Sequence, residues 1–324
     1  MQGKKIHDFN QHKQWLQNYF QGEFIHPNYL KIDNEIGKGF IYFYKIHPSN
    51  YFMLFRIEVF QDLSIQFDYS QSEYFKYVAS FFNNDFWIES KDKNEPLEIK
   101  WKGFHTCTKD LAIDGTVRKG QLLKHIQLFY SEDALNEVDD YSISHYFLNK
   151  KQFFHFFEEQ PDLYAFRLMI LEILNYSPTL QTKVLSVKMQ ELYYIFINSL
   201  KKVDIDAGNS AKRITNKEFA ALFKIRESIL EDLSTKPDVA QLVEDSGVEK
   251  HLIQQLFHEV FGHTIYNYFT IRRMEKVRDV MLEEQLSTSE IADKYGFTHL
   301  QHFSNSFKKH YGLSPKKYLL LHKD

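Results

Sequence analysis

The spacing of apolar positions changes twice along the chain. From about Phe24 to Tyr130, β-branched and aromatic residues fall in short runs, and stretches such as Leu63-Ser64-Ile65-Gln66-Phe67 and Leu97-Glu98-Ile99-Lys100-Trp101 alternate apolar with polar. A period of two is what half-buried antiparallel strands require. Turn-forming clusters separate the runs: Asn34 before Glu35-Ile36-Gly37, His47-Pro48-Ser49-Asn50, Asn83-Asn84-Asp85, the stretch 92–96, and Asp114-Gly115. Short strands at near-regular spacing predict a small barrel or sandwich.

After about Glu132 the texture becomes helical, and helices are predicted over 150–159, 162–174 and 180–202. In the last of these, Leu180, Val184, Val187, Glu191, Leu192, Ile195, Phe196 and Leu200 form a mainly apolar stripe. Such a stripe must be covered, either by its own chain or by a second helix in a dimer. The stretch 203–214 holds Asp204, Asp206, Gly208, Asn209 and Ser210 and reads as a linker, so the last domain begins there.

Beyond Pro237 the pattern is helix, turn, helix, twice over. Ser287 and Glu290 have capping-box spacing, Ile291, Ala292 and Tyr295 supply an inward face, and Gly296 can end that helix with a positive φ. Thr298 and Gln301 form a second candidate capping box, after which Phe303 and Phe307 face inward. The opposite face offers Gln301, Ser304, Asn305 and Lys308, groups suited to base edges and phosphates. The earlier copy runs from Lys236-Pro237-Asp238 through Val239, Leu242 and Val243 to a turn at Ser246-Gly247. Its second helix buries Ile253, Leu256 and Phe257 and frees His251, Gln254, Gln255 and His258. A connecting helix over 265–284 has Tyr268, Ile271, Met274, Val277, Val280 and Met281 as its apolar positions.

Composition narrows the classes. A chain of 324 residues can hold two or three domains without metal or disulfide staples. No apolar stretch reaches the roughly 18 residues of a membrane span, and the amino terminus lacks the apolar core of a signal peptide, so a cytoplasmic protein without membrane partners is expected. Cys107 is the sole cysteine and reads as a packed thiol. A net charge of −3 argues against a nonspecific polyanion binder, and from 236 to 324 there are 12 Lys and Arg against 12 Asp and Glu. Cations nevertheless gather at Lys308-Lys309, Lys316-Lys317 and Lys323, with no acid between Thr298 and Lys323, so the distal unit should hold phosphate more strongly.

The stretch 287–318, STSEIADKYGFTHLQHFSNSFKKHYGLSPKKY, resembles the signature of the AraC/XylS family of transcription regulators. Ile291-Ala292, Gly296-Phe297, Phe303, Phe307-Lys308, Gly312 and Pro315 carry that resemblance; Leu256-Phe257, Gly262, Tyr268, Arg273 and Met281 extend it, so that it covers roughly 217–320. It implies two recognition helices in successive major grooves of double-stranded DNA, about 34 Å apart. By position, the base readers are His251, Gln254 and Gln255, then Leu300, Gln301, Ser304 and Asn305, with Lys308 and Lys309 on phosphate. Glu249 stands where the family usually has a helix-capping serine, Asn305 replaces a basic residue, and Leu300 could be core or touch a thymine methyl.

The expected fold class is therefore α+β and multidomain. Residues 1–140 should form a β-rich, cupin-like regulatory domain that senses a small molecule. Residues 141–213 should form a helical dimerisation or linker region, and 214–324 an all-α domain with helix-turn-helix units at about 238–259 and 287–310. The expected function is sequence-specific regulation, as an activator working with RNA polymerase, in a homodimer. Two alternatives stand beside it: a first domain that only dimerises or binds a protein, or a small-barrel enzyme fused to a DNA-binding tail. Against the enzyme, no phosphate loop, nucleophile elbow or dinucleotide fingerprint occurs, and His26, His47, His105 and His125 are scattered. The pairs His258/His263 and His299/His302 lack further ligands, so no metal, cofactor or catalytic residue is expected.

Overall fold

A computed structural model describes residues 8–47, 50–65, 69, 72–82, 86–88, 97–99, 103–109, 115–132, 154–158, 173, 176–200, 214–283 and 286–322. The chain divides into two compact units, 1–213 and 214–324.

In the first unit, helix α1 (Phe9–Phe20) precedes a run of antiparallel strands. These are β1 (Glu23–His26), β2 (Tyr29–Asp33), β3 (Gly37–His47), β4 (Asn50–Val59), β5 (Leu63–Ile65), β6 (Tyr77–Phe82), β7 (Phe86–Ile88), β8 (Leu97–Ile99), β9 (Gly103–Thr108), β10 (Gly115–Val117), β11 (Leu122–Tyr130) and β12 (Phe154–Glu158). Eight form one sheet in the order β1-β2-β3-β4-β11-β6-β9-β12, and β5-β10-β7-β8 form a second. The larger sheet does not close: among the described residues β1 and β12 are its edges, so a closed cupin-like barrel is not what the strands make.

Register sorts the side chains of the large sheet onto two faces. Tyr42 opposes Leu54, which opposes Ile126, whereas Ile41 opposes Phe55, which opposes His125. The first set packs with Leu185, Met189, Leu192, Phe196 and Ile197 of helix α2 (Pro178–Leu200). The second packs with Leu16 and Phe20 of α1 and with Leu63 and Val117 of the smaller sheet. Cys107 is buried on β9, and burial pushes its thiol up to about 12.

Two expectations from periodicity need correction. The helix expected over 150–159 is β12 across Phe154–Glu158, paired with β9 from Phe154 opposite Cys107 to Glu158 opposite Gly103. Phe154, His155, Phe156 and Phe157 are all buried, which a strand covered on both faces allows and a one-sided helix does not; short apolar runs do not declare their period. In α2 the stripe is rotated. Leu192, Phe196 and Leu200 are buried as expected, but Leu180 and Val187 are 47% and 64% exposed, and Leu185 and Met189 take the inward positions. The expected helix over 162–174 and the linker over 203–214 lie outside the described residues, apart from Ile173 and Ile214.

The second unit is all helix: α3 (Asn216–Glu231), α4 (Val239–Asp245), α5 (Lys250–Phe261), α6 (Ile265–Glu283), α7 (Thr288–Lys294), α8 (Leu300–Tyr311) and α9 (Pro315–His322). The sequence reading passed over α3, although Thr215 and Glu218 carry capping-box spacing and both reciprocal bonds form. Among the described residues no helix is long and apolar enough to cross a membrane.

Candidate nucleic-acid interface

Each half of the second unit is built from local signals. Asp238 caps α4 by accepting from Ala240 and Gln241 N–H groups, the chain turns at Gly247 with φ +62°, and α5 follows. In the distal half Ser287 and Glu290 complete a capping box on α7, Gly296 turns with φ +66°, and α8 follows. Both second helices end on a left-handed glycine, Gly262 donating to the His258 carbonyl and Gly312 to the Lys308 carbonyl, each at 2.8 Å. Such glycine caps satisfy carbonyls that the helix leaves open. Thr264 and Ser314 then cap the following helices through Asn267 and Lys317 N–H groups. The matched layout makes the two units structural repeats.

Helix α6 is the spine between them. Its Met274, Val277, Val280 and Met281 pack with Ile291, Ala292, Phe303 and Phe307 of the distal half. On the proximal side Tyr268 meets the rings of Phe257 and Phe261. With Phe303, Phe307, Ile253 and Phe257 fully buried, the opposite faces of α5 and α8 must look outward.

That geometry places the expected readers on those faces. His251 and Gln254 are exposed on α5, while Gln255 is half-buried and donates to Glu259 at 2.9 Å. On α8, Gln301, Asn305, Lys308 and Lys309 are exposed and Ser304 is half-buried. Leu300 is 45% exposed, which removes it from the core.

The helix starts differ in charge. Glu249 replaces the usual hydroxyl cap with a carboxylate that accepts from His251 N–H at 2.9 Å and Leu252 N–H at 2.8 Å. Those two backbone bonds hold its pKa below the usual carboxylate value. The amino end of α5 therefore already carries an anion. The capping box expected at Thr298 and Gln301 is absent: α8 begins at Leu300 with His299 as cap residue and no side-chain cap, because Gln301 falls at the second helical position rather than the third. The amino end of α8 is thus open to an outside acceptor, and Lys308, Lys309 and His310 line its last turn.

Sequence reasoning missed the junction that joins the halves. Arg273 of α6 lies over the Phe297 ring at 3.6 Å, and a Cβ on Gly296 would stand 2.1 Å from the Ser234 carbonyl oxygen. The distal turn thereby rests on the loop that leads into α4. No local spacing announces a contact between residues so far apart in the chain.

Residues 242–320 match the family described as helix-turn-helix domain. The xylose operon regulatory protein of Escherichia coli K12 is 32% identical over 80 residues, covering 25% of this chain and 20% of that protein. This chain thus spans about a fifth of that relative's length. The multiple antibiotic resistance protein MarA of Escherichia coli K12 is 25% identical over 103 residues, covering 32% of this chain and 81% of that protein. Among solved structures, the C-terminal domain of the response regulator AraT from Geobacillus stearothermophilus is 24% identical with a TM-score of 0.31, covering 35% of this chain and 91% of that one.

Proposed function

We propose, from the premise that residues 214–324 carry a helix-turn-helix DNA-binding domain of the AraC/XylS type, that this chain is a sequence-specific transcription regulator rather than an enzyme. The observation that carries the reading is the repeated motif with a polar outward face on each second helix. In this reading α5 and α8 enter successive major grooves about 34 Å apart. The amides of Gln254, Gln301 and Asn305 suit adenine edges, Leu300 suits a thymine methyl, and Lys308 and Lys309 suit phosphates. Gln255 must leave Glu259 before it can reach a base, and His251 and Ser304 complete the two reading sets.

The two halves should contribute unequally. A carboxylate at the start of α5 repels phosphate, whereas the open start of α8 and its local cations attract it. Lys308→Ala and Lys309→Ala are each expected to lower the slope of log affinity against log salt by about 1, with sequence preference kept. Filter binding or fluorescence anisotropy across a salt series measures this. Unchanged slopes in both variants would remove the proposed role of the distal unit.

The first unit, in the same reading, is a β-rich regulatory module whose small-molecule ligand alters DNA binding and recruitment of RNA polymerase, so that the regulator activates. Such coupling requires the ligand to favour one arrangement of the chain over another. A second role is favoured by α2. Its exposed Leu180, Val187 and Tyr194 recur every seven residues, the spacing at which helices pair. Homodimerisation through that stripe predicts that Val187→Glu shifts the chain from dimer to monomer by light scattering at micromolar concentration. Affinity for paired DNA sites should then fall by about tenfold or more. A dimer that survives the change excludes this face.

A further inference from the structure

On one face of the large sheet Tyr51, Tyr69, Phe75 and Phe129 are buried in a cluster that includes Leu16 and Phe20 of α1. Among the described residues, room for a ligand lies on the other face of the large sheet, the face that α2 packs on. There β2, β3, β4 and the start of β11 border a cavity of about 700 Å³. That volume suits a small organic molecule.

The wall has an apolar and a charged part. Tyr29 stacks on Phe40 with ring centroids 4.8 Å apart and planes at 21°, and Ile25 and Leu122 extend the apolar surface. Three cations, Lys31, Lys38 and Arg56, face two carboxylates, Asp33 and Glu58. Lys31 pairs with Asp33 at 3.4 Å, and Lys38 stands directly across from Glu58 in the β3–β4 register. Arg56 is left over. Its register neighbours are Phe40 and Lys124, it makes no ion pair among the described residues, and its Nε is sealed from solvent without a hydrogen-bond partner. Burial raises the Tyr29 phenol and the charge of Arg56 opposes that rise, so the guanidinium lies within electrostatic reach of the Tyr29 hydroxyl.

We propose that this cavity binds a small monocarboxylate with a flat or extended apolar body. Its carboxylate would meet the guanidinium of Arg56, and its body would lie against Tyr29 and Phe40. The wall holds one cation more than carboxylates, with Lys124 across the strand from Arg56 adding further positive charge, and a guanidinium presents parallel N–H donors that match the two oxygens of a carboxylate. The apolar part of the wall selects an organic anion over an inorganic one. Occupancy has a short route to α2: Phe40 is two residues from Tyr42, whose hydroxyl donates to the Thr182 carbonyl in α2 at 3.1 Å. That last step rests on the effector-responsive reading proposed above; the binding itself does not.

The test is calorimetric titration of the full chain with phenylacetate and octanoate, and with phenylacetamide and octanamide as neutral matches. Saturable binding of a carboxylate without binding of its amide is expected. Arg56→Met should weaken that binding about 10- to 100-fold, the usual worth of a charge-assisted hydrogen bond. Arg56→Lys, which keeps the charge and disturbs the fold less, should weaken it by a smaller factor. The site is overturned if neither carboxylate binds, if amides bind equally well, or if both Arg56 variants bind like the parent. DNA affinity measured with the carboxylate present separates the two readings: a bound carboxylate that leaves DNA affinity unchanged supports the site and sinks the effector role.

Discussion

Lowering the pH from 7 to 5 is expected to remove about 6 kcal/mol of stability from the first unit, roughly 2 from each of three buried histidines. His12 on α1, His105 on β9 and His125 on β11 are all buried, and burial lowers each pKa from 6.5 to about 3. Their surroundings explain why. His12 sits among the rings of Tyr51, Tyr69 and Phe129, its Nδ1 at 3.2 Å from the Tyr51 hydroxyl. His105 stacks on Phe154 and, after burial, feels the charge of His125, which itself lies against Phe55. A cation in such places gives up the hydration that stabilises it in water, which is why burial lowers each pKa.

The folded chain must keep these rings neutral, while the unfolded chain takes up protons near pH 6.5. Stability is therefore complete above about 6.5 and declines as pH falls toward 3. The described carboxylates with shifted pKa values act in a lower window. Asp62, Asp232, Glu249 and Glu290 have pKa values lowered by hydrogen bonds, so their contribution fades only when pH drops through the ordinary carboxylate range. Urea unfolding followed by far-ultraviolet circular dichroism at pH 7, 6 and 5 measures the effect. His12→Gln should flatten the dependence by about a third, and equal stability at pH 7 and 5 would show that the histidines are not held neutral.

Gly296→Ala should cost about 2–5 kcal/mol, combining backbone strain at positive φ with a forced displacement. The residue has φ +66°, and the added methyl would stand 2.1 Å from the Ser234 carbonyl oxygen. That oxygen cannot easily retreat, because the Asp232 carboxylate accepts from the Ser234 N–H and hydroxyl and so fixes the loop. Gly247 provides the control: its φ is +62° and nothing lies within 4 Å of an added Cβ. Gly247→Ala should therefore show the strain alone, about 1–2 kcal/mol. The two substitutions also differ in function. Displacing the α7–α8 turn from the Ser234 loop changes how α8 is set relative to α5, so Gly296→Ala should reduce DNA affinity under conditions where the variant remains folded. Comparable urea midpoints and DNA affinities for both variants would show that the Ser234 contact does not position the two reading helices.

The sequence by itself determined the parts whose signals are local. Ser287 with Glu290, Gly296, and Phe303 with Phe307 lie within four residues of their partners or act through their own backbone, so a helix start, a turn and a buried face can be read from spacing. The same holds for Asp238, Gly247, Ile253 and Phe257 in the proximal half, and Glu249 could replace the usual cap because any acceptor there meets the same two N–H groups. The outward residues of α5 and α8 followed by subtraction from the buried ones.

Tertiary structure decided what spacing leaves open. Phe154–Glu158 carries apolar side chains for either a helix or a strand, and pairing with β9, some fifty residues earlier, chose the strand. Helix α2 has apolar residues around much of its circumference, and the sheet chose Leu185 and Met189 over Leu180 and Val187 as its inward face. Arg56 gained its isolation only when β3 set Lys38 against Glu58 and β2 set Lys31 beside Asp33. Helical order joins residues three or four apart, whereas sheet register and packing join residues without regard to their separation in the chain, and only the folded chain brings those partners together.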